Sequence, residues 1–129
     1  MAFIDADNIT NLLQTFLDVQ SRRAQIISSN IANADTPGYV AKELDFEDFL
    51  RDAASKVNLP QSTLADSGDS VAALRTVDQT PTKIGLDGNT VDAGREMAEL
   101  AQTSINFNLG AKMLQSRLRL LRAAIHEGR

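Results

Sequence analysis

The chain has 129 residues, of which 43% are hydrophobic and 5% aromatic, and its formal net charge is −4. It contains no cysteine and a single histidine, which excludes a disulfide framework, a thiol nucleophile and a zinc site built on cysteine or clustered histidine. A globular enzyme of this length usually packs more aromatic side chains into its core.

The charges are distributed unevenly along the chain. Acidic residues outnumber basic ones in residues 1–50, whereas basic residues predominate in residues 91–129. Ends of opposite charge indicate that the two ends meet each other or meet other copies of the chain. The basic residues near the C-terminus have no aromatic residues between them for stacking on bases, so we expect no nucleic-acid partner.

Neither a secretory signal nor a membrane span is predicted. The first basic residue is Arg22, and Asp5 and Asp7 precede it, which does not fit the basic start of a cleavable signal. The longest run without a charge, residues 100–111, is too short to cross a bilayer. If the protein leaves the cytoplasm, we therefore expect a different export route.

Apolar residues near the N-terminus recur at intervals of three and four, which predicts an amphipathic helix over residues 7–34. Its stripe consists of Ile9, Leu13, Phe16, Gln20, Ala24, Ile27, Ile31 and Ala34. We expect the helix to stop before Pro37, which disfavours helical geometry at Thr36. Pro37 and Gly38 fit the central positions of a type II turn, where Gly38 takes a positive φ. An extended stretch over residues 39–43 follows.

A second, shorter helix is predicted over residues 46–57, with Asp45 as its N-cap. Its apolar stripe consists of Phe46, Phe49, Leu50, Ala53 and Val57. Residues 58–91 are rich in proline, glycine and short polar residues, which interrupt any period. We expect them to form an irregular insertion or a small β-hairpin.

The clearest pattern lies in the last segment, where a seven-residue repeat predicts a helix over residues 92–126. The repeat consists of Met97, Leu100, Ser104, Phe107, Ala111, Leu114, Leu118, Leu121 and Ile125. A second apolar flank runs beside it and consists of Ala101, Ile105, Leu109, Met113 and Leu120. One neighbouring helix cannot cover both flanks, so we expect the N-terminal helix on one side and other subunits on the other.

Together these elements predict a mainly α fold, with two long terminal helices paired as an antiparallel coiled-coil-like hairpin, a short third helix and the insertion. The predicted segments are 1–57, 58–91 and 92–129, and the two ends form one helical unit. A monomeric two-helix hairpin is the alternative, but two helices alone make a poor core. The residues expected to pack the helices are Ile9, Leu13, Phe16, Ile27, Ile31, Leu100, Phe107, Leu114, Leu118, Leu121 and Ile125.

No group of residues makes a credible active site. Asp87-Gly-Asn89 resembles the start of a calcium loop, but Ala98 stands where an EF-hand needs its twelfth-position glutamate. We interpret this segment as a glycine turn before a helix. The one imidazole, His126, lies too close to the C-terminus for a catalytic triad. We expect no enzyme activity, no cofactor and no metal.

The segment Ser29-Asn-Ile-Ala-Asn-Ala-Asp-Thr-Pro-Gly-Tyr39 resembles the N-terminal signature of the bacterial flagellar axial proteins, the rod and hook family. Leu44-Asp-Phe46 and Leu86-Asp-Gly-Asn-Thr-Val-Asp92, which continues into Arg95-Glu96, are similar to the proximal rod proteins of this family. The middle of the chain resembles nothing specific. The signature residues that this resemblance marks for assembly are Asn30, Asn33, Asp35, Thr36, Pro37, Gly38 and Tyr39.

The resemblance implies a structural subunit of the proximal rod of the flagellar basal body. In this family the terminal helices pack against neighbouring subunits as the inner layer of a helical tube, which transmits torque and encloses the export channel. The implied partners are further copies, rod proteins of the FlgC type, the adaptor FliE and the flagellar type III export apparatus, which carries subunits to the periplasmic rod without a cleavable signal peptide. The alternatives are a sibling rod subunit or another helical adaptor or scaffold, and the latter would form a small closed oligomer.

Overall fold

A computed structural model describes residues 2–45 and 74–128, with side chains from residue 9 onward. In chain order, the described elements are the helix α1 (Ala2–Ala32), the strands β1 (Lys42–Leu44) and β2 (Thr76–Asp78), and the helix α2 (Ala93–Glu127). The mainly helical class is therefore confirmed. The short helix predicted over residues 46–57 lies outside the described residues.

The first helix begins earlier and ends slightly earlier than the predicted range of 7–34. It starts at Ala2 because residues 2–6 contain neither glycine nor proline, so nothing interrupts the helical backbone before Asp7. It ends at Ala32, and the chain then turns ahead of Pro37 as expected.

The second helix agrees closely with the prediction. Asp92 is its N-cap, with an extended backbone and a carboxylate that accepts a hydrogen bond of 3.2 Å from the backbone N–H of Arg95. Glu96 lies in the first turn, where the helix dipole favours a negative charge. At the other end, the backbone N–H of Gly128 donates to the carbonyl oxygen of Ala124.

The two helices pack against each other in antiparallel directions. Phe16 and Leu17 lie at Gly110, Arg23 forms an ion pair with Glu99, and Asn30 donates a hydrogen bond to Glu96. Residue numbers thus rise along α1 while those of their partners fall along α2. The coiled-coil-like character of the pair stays a prediction.

The buried line on α2 is polar and small instead of apolar. Its buried residues are Glu96, Thr103 and Gly110, which recur every seven residues and so share one face of the helix. A Cβ atom on Gly110 would lie 2.9 Å from Cδ1 of Phe16 and 3.1 Å from Cδ2 of Leu17. The missing side chain at Gly110 therefore lets the two helices approach closely.

The two short strands form an antiparallel sheet, in which Lys42 pairs with Asp78, Glu43 with Val77 and Leu44 with Thr76. The sequence predicted an irregular insertion or a small hairpin within residues 58–91. The described β2 lies in that range, but its partner β1 comes from the stretch after the first turn. In an ordinary hairpin, turn residues between the two strands mark the pairing in the sequence. The strands β1 and β2 are far apart in the sequence, so no such turn could predict that they pair.

Buried side chains are concentrated at one end of the helix pair. The buried hydrophobic residues are Val19, Ile27, Ala41 and Leu74. Among the described side chains, none in residues 9–18 or 111–128 is buried. The sheet and the loops thus make a small core with the end of α1 and the beginning of α2, and the far halves of both helices remain outside it.

We predict that Gly110→Val destabilises the chain by about 1–3 kcal/mol, because the new side chain would overlap Phe16 and Leu17. The matched control is Gly94→Val on the same helix, where an added Cβ would lie 3.5 Å from the Asp92 carboxylate and make ordinary contact. Thermal unfolding followed by far-ultraviolet circular dichroism measures both. Equal midpoints for the two variants would contradict the close helix packing at Gly110.

Candidate assembly site at the helix–turn junction

The signature segment forms the turn that follows α1. The backbone N–H and the side-chain amide of Asn33 both donate to the carbonyl oxygen of Ser29, at 3.1 and 2.8 Å, which closes the end of the helix. The N–H of Tyr39 donates to the carbonyl oxygen of Thr36 at 3.3 Å, and Gly38 between them has a φ of +72°. The predicted turn with a left-handed Gly38 is confirmed.

Asn30 lies at the centre of this junction and is 1% exposed. Its side-chain amide nitrogen donates to the carbonyl oxygen of Lys42 at 2.8 Å and to Oε2 of Glu96 at 3.0 Å. Its amide oxygen accepts from the N–H of Lys42 at 3.0 Å and from the hydroxyl of Tyr39 at 3.2 Å. All four hydrogen-bonding positions of the amide are therefore filled.

These bonds make Asn30 act as an additional residue of the sheet. Its amide bonds to both the N–H and the C=O of Lys42, as a residue on a neighbouring strand would. Through Glu96 the same side chain also holds the first turn of α2. One asparagine thus joins α1, β1 and α2, three elements that are far apart in the sequence.

Asn89 makes a second junction from the loop before α2. Its side-chain nitrogen lies within 2.9 Å of the carbonyl oxygens of Asn33 and Ala34 and 2.7 Å from that of Thr36. Its side-chain oxygen accepts from the N–H of Val91 at 2.8 Å. Asn89 therefore satisfies carbonyl groups that the end of α1 leaves without helical partners.

Backbone bonds hold the two loops together beside Asn89. The N–H of Gly38 donates to the carbonyl oxygen of Asp87 at 3.0 Å, and the N–H of Thr90 donates to that of Tyr39 at 3.0 Å. Gly88 has a φ of +81°, and an added Cβ there would lie 3.7 Å from Cα of Gly38. The predicted glycine turn before the last helix is confirmed, and it packs against the first turn.

The predicted assembly residues therefore fall into two groups. Asn30 is buried, and Asn33 and Tyr39 are half-buried in the junction. The four exposed members are Asp35, Thr36, Pro37 and Gly38. The junction depends equally on Asn89 and Glu96, which sequence reasoning placed in a turn and in a family-like segment without assigning them a role.

The predicted helix-packing residues also differ in exposure. Ile27 is buried, and those that are half-buried are Leu13, Ile31, Leu100, Leu114 and Leu121. The exposed ones are Ile9, Phe16, Phe107, Leu118 and Ile125. A single chain therefore covers part of the predicted set and leaves the rest accessible to another molecule.

The junction holds its elements together through side-chain amide and backbone hydrogen bonds. Within residues 2–45 and 74–128, no three His, Cys, Asp or Glu side chains converge in a way that could hold a metal ion. Across the same ranges, neither helix contains an apolar stretch of the length needed to cross a membrane.

Comparison with known proteins identifies relatives along most of the chain. The family model described as flagella basal body rod protein matches residues 17–39. The flagellar basal body rod protein FlgB of Salmonella typhimurium is 34% identical over 116 residues, which cover 82% of this chain and 84% of that protein. The chain belongs to the FlgB family of flagellar basal body rod proteins.

More distant FlgB proteins match a larger share of the chain. The Escherichia coli protein is 30% identical over 125 residues, covering 89% of this chain and 91% of its own length. The Bacillus subtilis protein is 29% identical over 119 residues, which cover 91% of this chain and 92% of that protein. The resemblance read from the signature is therefore confirmed. The family-model match ends at Tyr39 and includes both Asn30 and the turn.

We predict that Asn30→Ala destabilises the chain by about 2–4 kcal/mol, because it leaves the buried Glu96 carboxylate and the part-buried backbone of Lys42 without their hydrogen-bond partner. The control Asn108→Ala removes an exposed amide of α2 and should change stability by less than about 0.5 kcal/mol. Chemical denaturation measures both free energies of unfolding.

The double variant Asn30→Ala/Glu96→Ala tests whether the stability lost in Asn30→Ala comes from the hydrogen bond to Glu96 or from a general loss of packing. The double variant should lose less free energy of unfolding than the two single variants lose in sum, since no carboxylate remains buried without its donor. Strict additivity would mean that the two side chains do not act together.

Proposed function

We propose that the chain is a structural subunit of the proximal rod of the bacterial flagellar basal body. It assembles through its terminal helices into a helical tube that transmits torque and encloses the export channel. Membership of the FlgB family supports the rod role. The observation that carries the proposal of assembly through the helices is an uncovered apolar face on α2.

That face consists of large side chains spaced by four and seven residues, which places them on one side of the helix. Their exposed fractions lie between 54% and 70%, and they are Ile105, Leu109, Met113 and Leu120. The buried line at Thr103 and Gly110 lies on a different side and is already covered by α1. A second apolar face of this kind is typical of a surface that another protein covers.

Apolar side chains on α1 extend the uncovered surface. Ile9, Leu12 and Phe16 are exposed in the half of α1 that lies away from the small core. Both helices thus present apolar side chains in the same half of the pair. A subunit with an apolar surface that spans both helices can contact more than one neighbour, as a subunit of a tube does.

At the other end of the helix pair, the junction fixes the position of the turn that follows α1. Because Asn30 and Asn89 bond to several elements each, the turn has a defined position relative to both helices. The exposed residues Asp35, Thr36 and Pro37 lie on the outside of this joint. We propose that they contact neighbouring rod subunits.

The proposed partners are further copies, rod proteins of the FlgC type, the adaptor FliE and the flagellar type III export apparatus. The proposed location is the rod in the periplasmic space, reached without a cleavable signal peptide. In residues 9–45 and 74–128 few hydrophobic side chains are buried, which supports this route, since this part of the chain has little tertiary structure to unfold before transport.

The test uses a flagellated strain in which the variant chain replaces its own rod protein. Leu109→Glu puts a charge on the uncovered apolar face and should abolish motility and rod formation, because burying an unpaired carboxylate in a contact is costly. Gln25→Glu introduces the same residue at an exposed polar position of α1, outside the uncovered apolar face, and should leave motility intact. Export, motility and purified basal bodies are measured for both.

The purified Leu109→Glu chain should unfold at the same temperature as the wild type, since Leu109 is exposed in the single chain. A motile Leu109→Glu strain with normal rods would contradict assembly through this face. Loss of motility accompanied by a lower unfolding temperature would contradict the assignment of Leu109 to a surface that only neighbours cover.

A further inference from the structure

A groove of about 510 Å³ lies between α1, the sheet and the first turns of α2. Its apolar lining comes from side chains of α1, β1 and β2, and its charged lining comes from Arg23, Lys42, Glu43, Asp45, Glu96 and Glu99. Four carboxylates thus face two cations. Glu99 already pairs with Arg23 and with Arg95.

Two buried oxygen atoms in the lining of the groove have no hydrogen-bond partner. They are Oε1 of Glu96, in a residue that is 1% exposed, and Oε1 of Gln20, in a residue that is 7% exposed. These two oxygens carry negative charge or partial negative charge that no hydrogen bond offsets, so they add to the negative potential of the groove. The negative lining favours a cationic donor, and lysine and arginine side chains donate without accepting.

The chain itself carries cationic side chains of this kind at its other end. Lys112, Arg119 and Arg122 are exposed on α2 and form no ion pair with the described residues. Their spacing of seven and three residues places them on one side of the helix. We call them the basic face.

The basic face cannot reach the groove of its own chain. Glu99 and Arg119 lie on the same continuous helix and are separated by roughly 30 Å at 1.5 Å per residue. We propose that the groove of one subunit receives the basic face of a second copy of this chain. The proposal rests on the proposed rod function and specifies which two surfaces meet.

A contact between two different surfaces has a consequence for the shape of the assembly. Each copy offers a groove at one end and a basic face at the other, so the contact is head to tail. A head-to-tail contact either closes into a ring or continues as an open helix, and it cannot pair two copies symmetrically. This is the type of contact that builds a helical tube.

The experiment uses the full purified chain and two charge reversals. Glu43→Lys reverses an exposed carboxylate of the groove, and Arg119→Glu reverses one cation of the basic face. Asp18→Lys and Lys83→Glu make the same changes of net charge at exposed positions outside both surfaces. Sedimentation velocity over a range of protein and salt concentrations measures self-association.

We expect the wild-type chain to self-associate at low ionic strength and to dissociate as salt screens the contact. Each reversal alone should weaken self-association about tenfold or more, because every contact then places like charges together. An equimolar mixture of the two reversed variants should recover association, since alternating copies make every groove and basic face complementary again. The two control variants should behave as the wild type.

Several results would overturn the proposal. They are a wild-type chain that stays monomeric at low salt, reversals that act no more strongly than their controls, and a mixture that fails to recover association. Residues 46–73 of the same chain, as an alternative occupant of the groove, would leave self-association insensitive to Glu43→Lys. Rods that form normally in such a case would show that the rod function holds while this contact does not.

Discussion

The structure depends on the hydrogen bonding of one buried side chain, Asn30. Its amide is the only link that joins α1, β1 and the first turn of α2 at a single point within the described residues. Amides and carboxylates hydrogen-bond with strict geometry, whereas apolar contacts tolerate sliding along a helix. This joint therefore sets the register of the antiparallel pair, and Gly110 then allows close contact further along.

Among the described residues, several polar side chains are buried while large apolar side chains are exposed. The buried set contains Gln20, Asn30, Glu96 and Thr103, while large aliphatic side chains of α2 face outward. Specific polar contacts thus hold the single chain in shape at the junction. The apolar surface that would normally stabilise a core is left for contacts between subunits. A subunit built in this way has a defined joint and gains most of its apolar burial on assembly.

The elements that follow local rules were predictable from the sequence. Both long helices came from apolar periodicity, and the turn came from Pro37 and Gly38, because these signals act within a few residues. The junction was not predictable, since the bonds of Asn30 to Glu96 and of Asn89 to Asn33 join distant segments. The buried line on α2 was also missed, because a heptad rule ranks residues by hydrophobicity and so passes over Glu96, Thr103 and Gly110.

We expect the junction to hold the single chain together and assembly to order the far halves of both helices. Amide hydrogen exchange on a verified monomer and on purified rods tests it most directly. In the monomer, we expect strong protection in residues 27–42 and 89–100 and weak protection in residues 2–15 and 110–127, which become protected in rods. Uniformly strong protection along both helices of the monomer would contradict the account, because the chain would then be a self-sufficient domain.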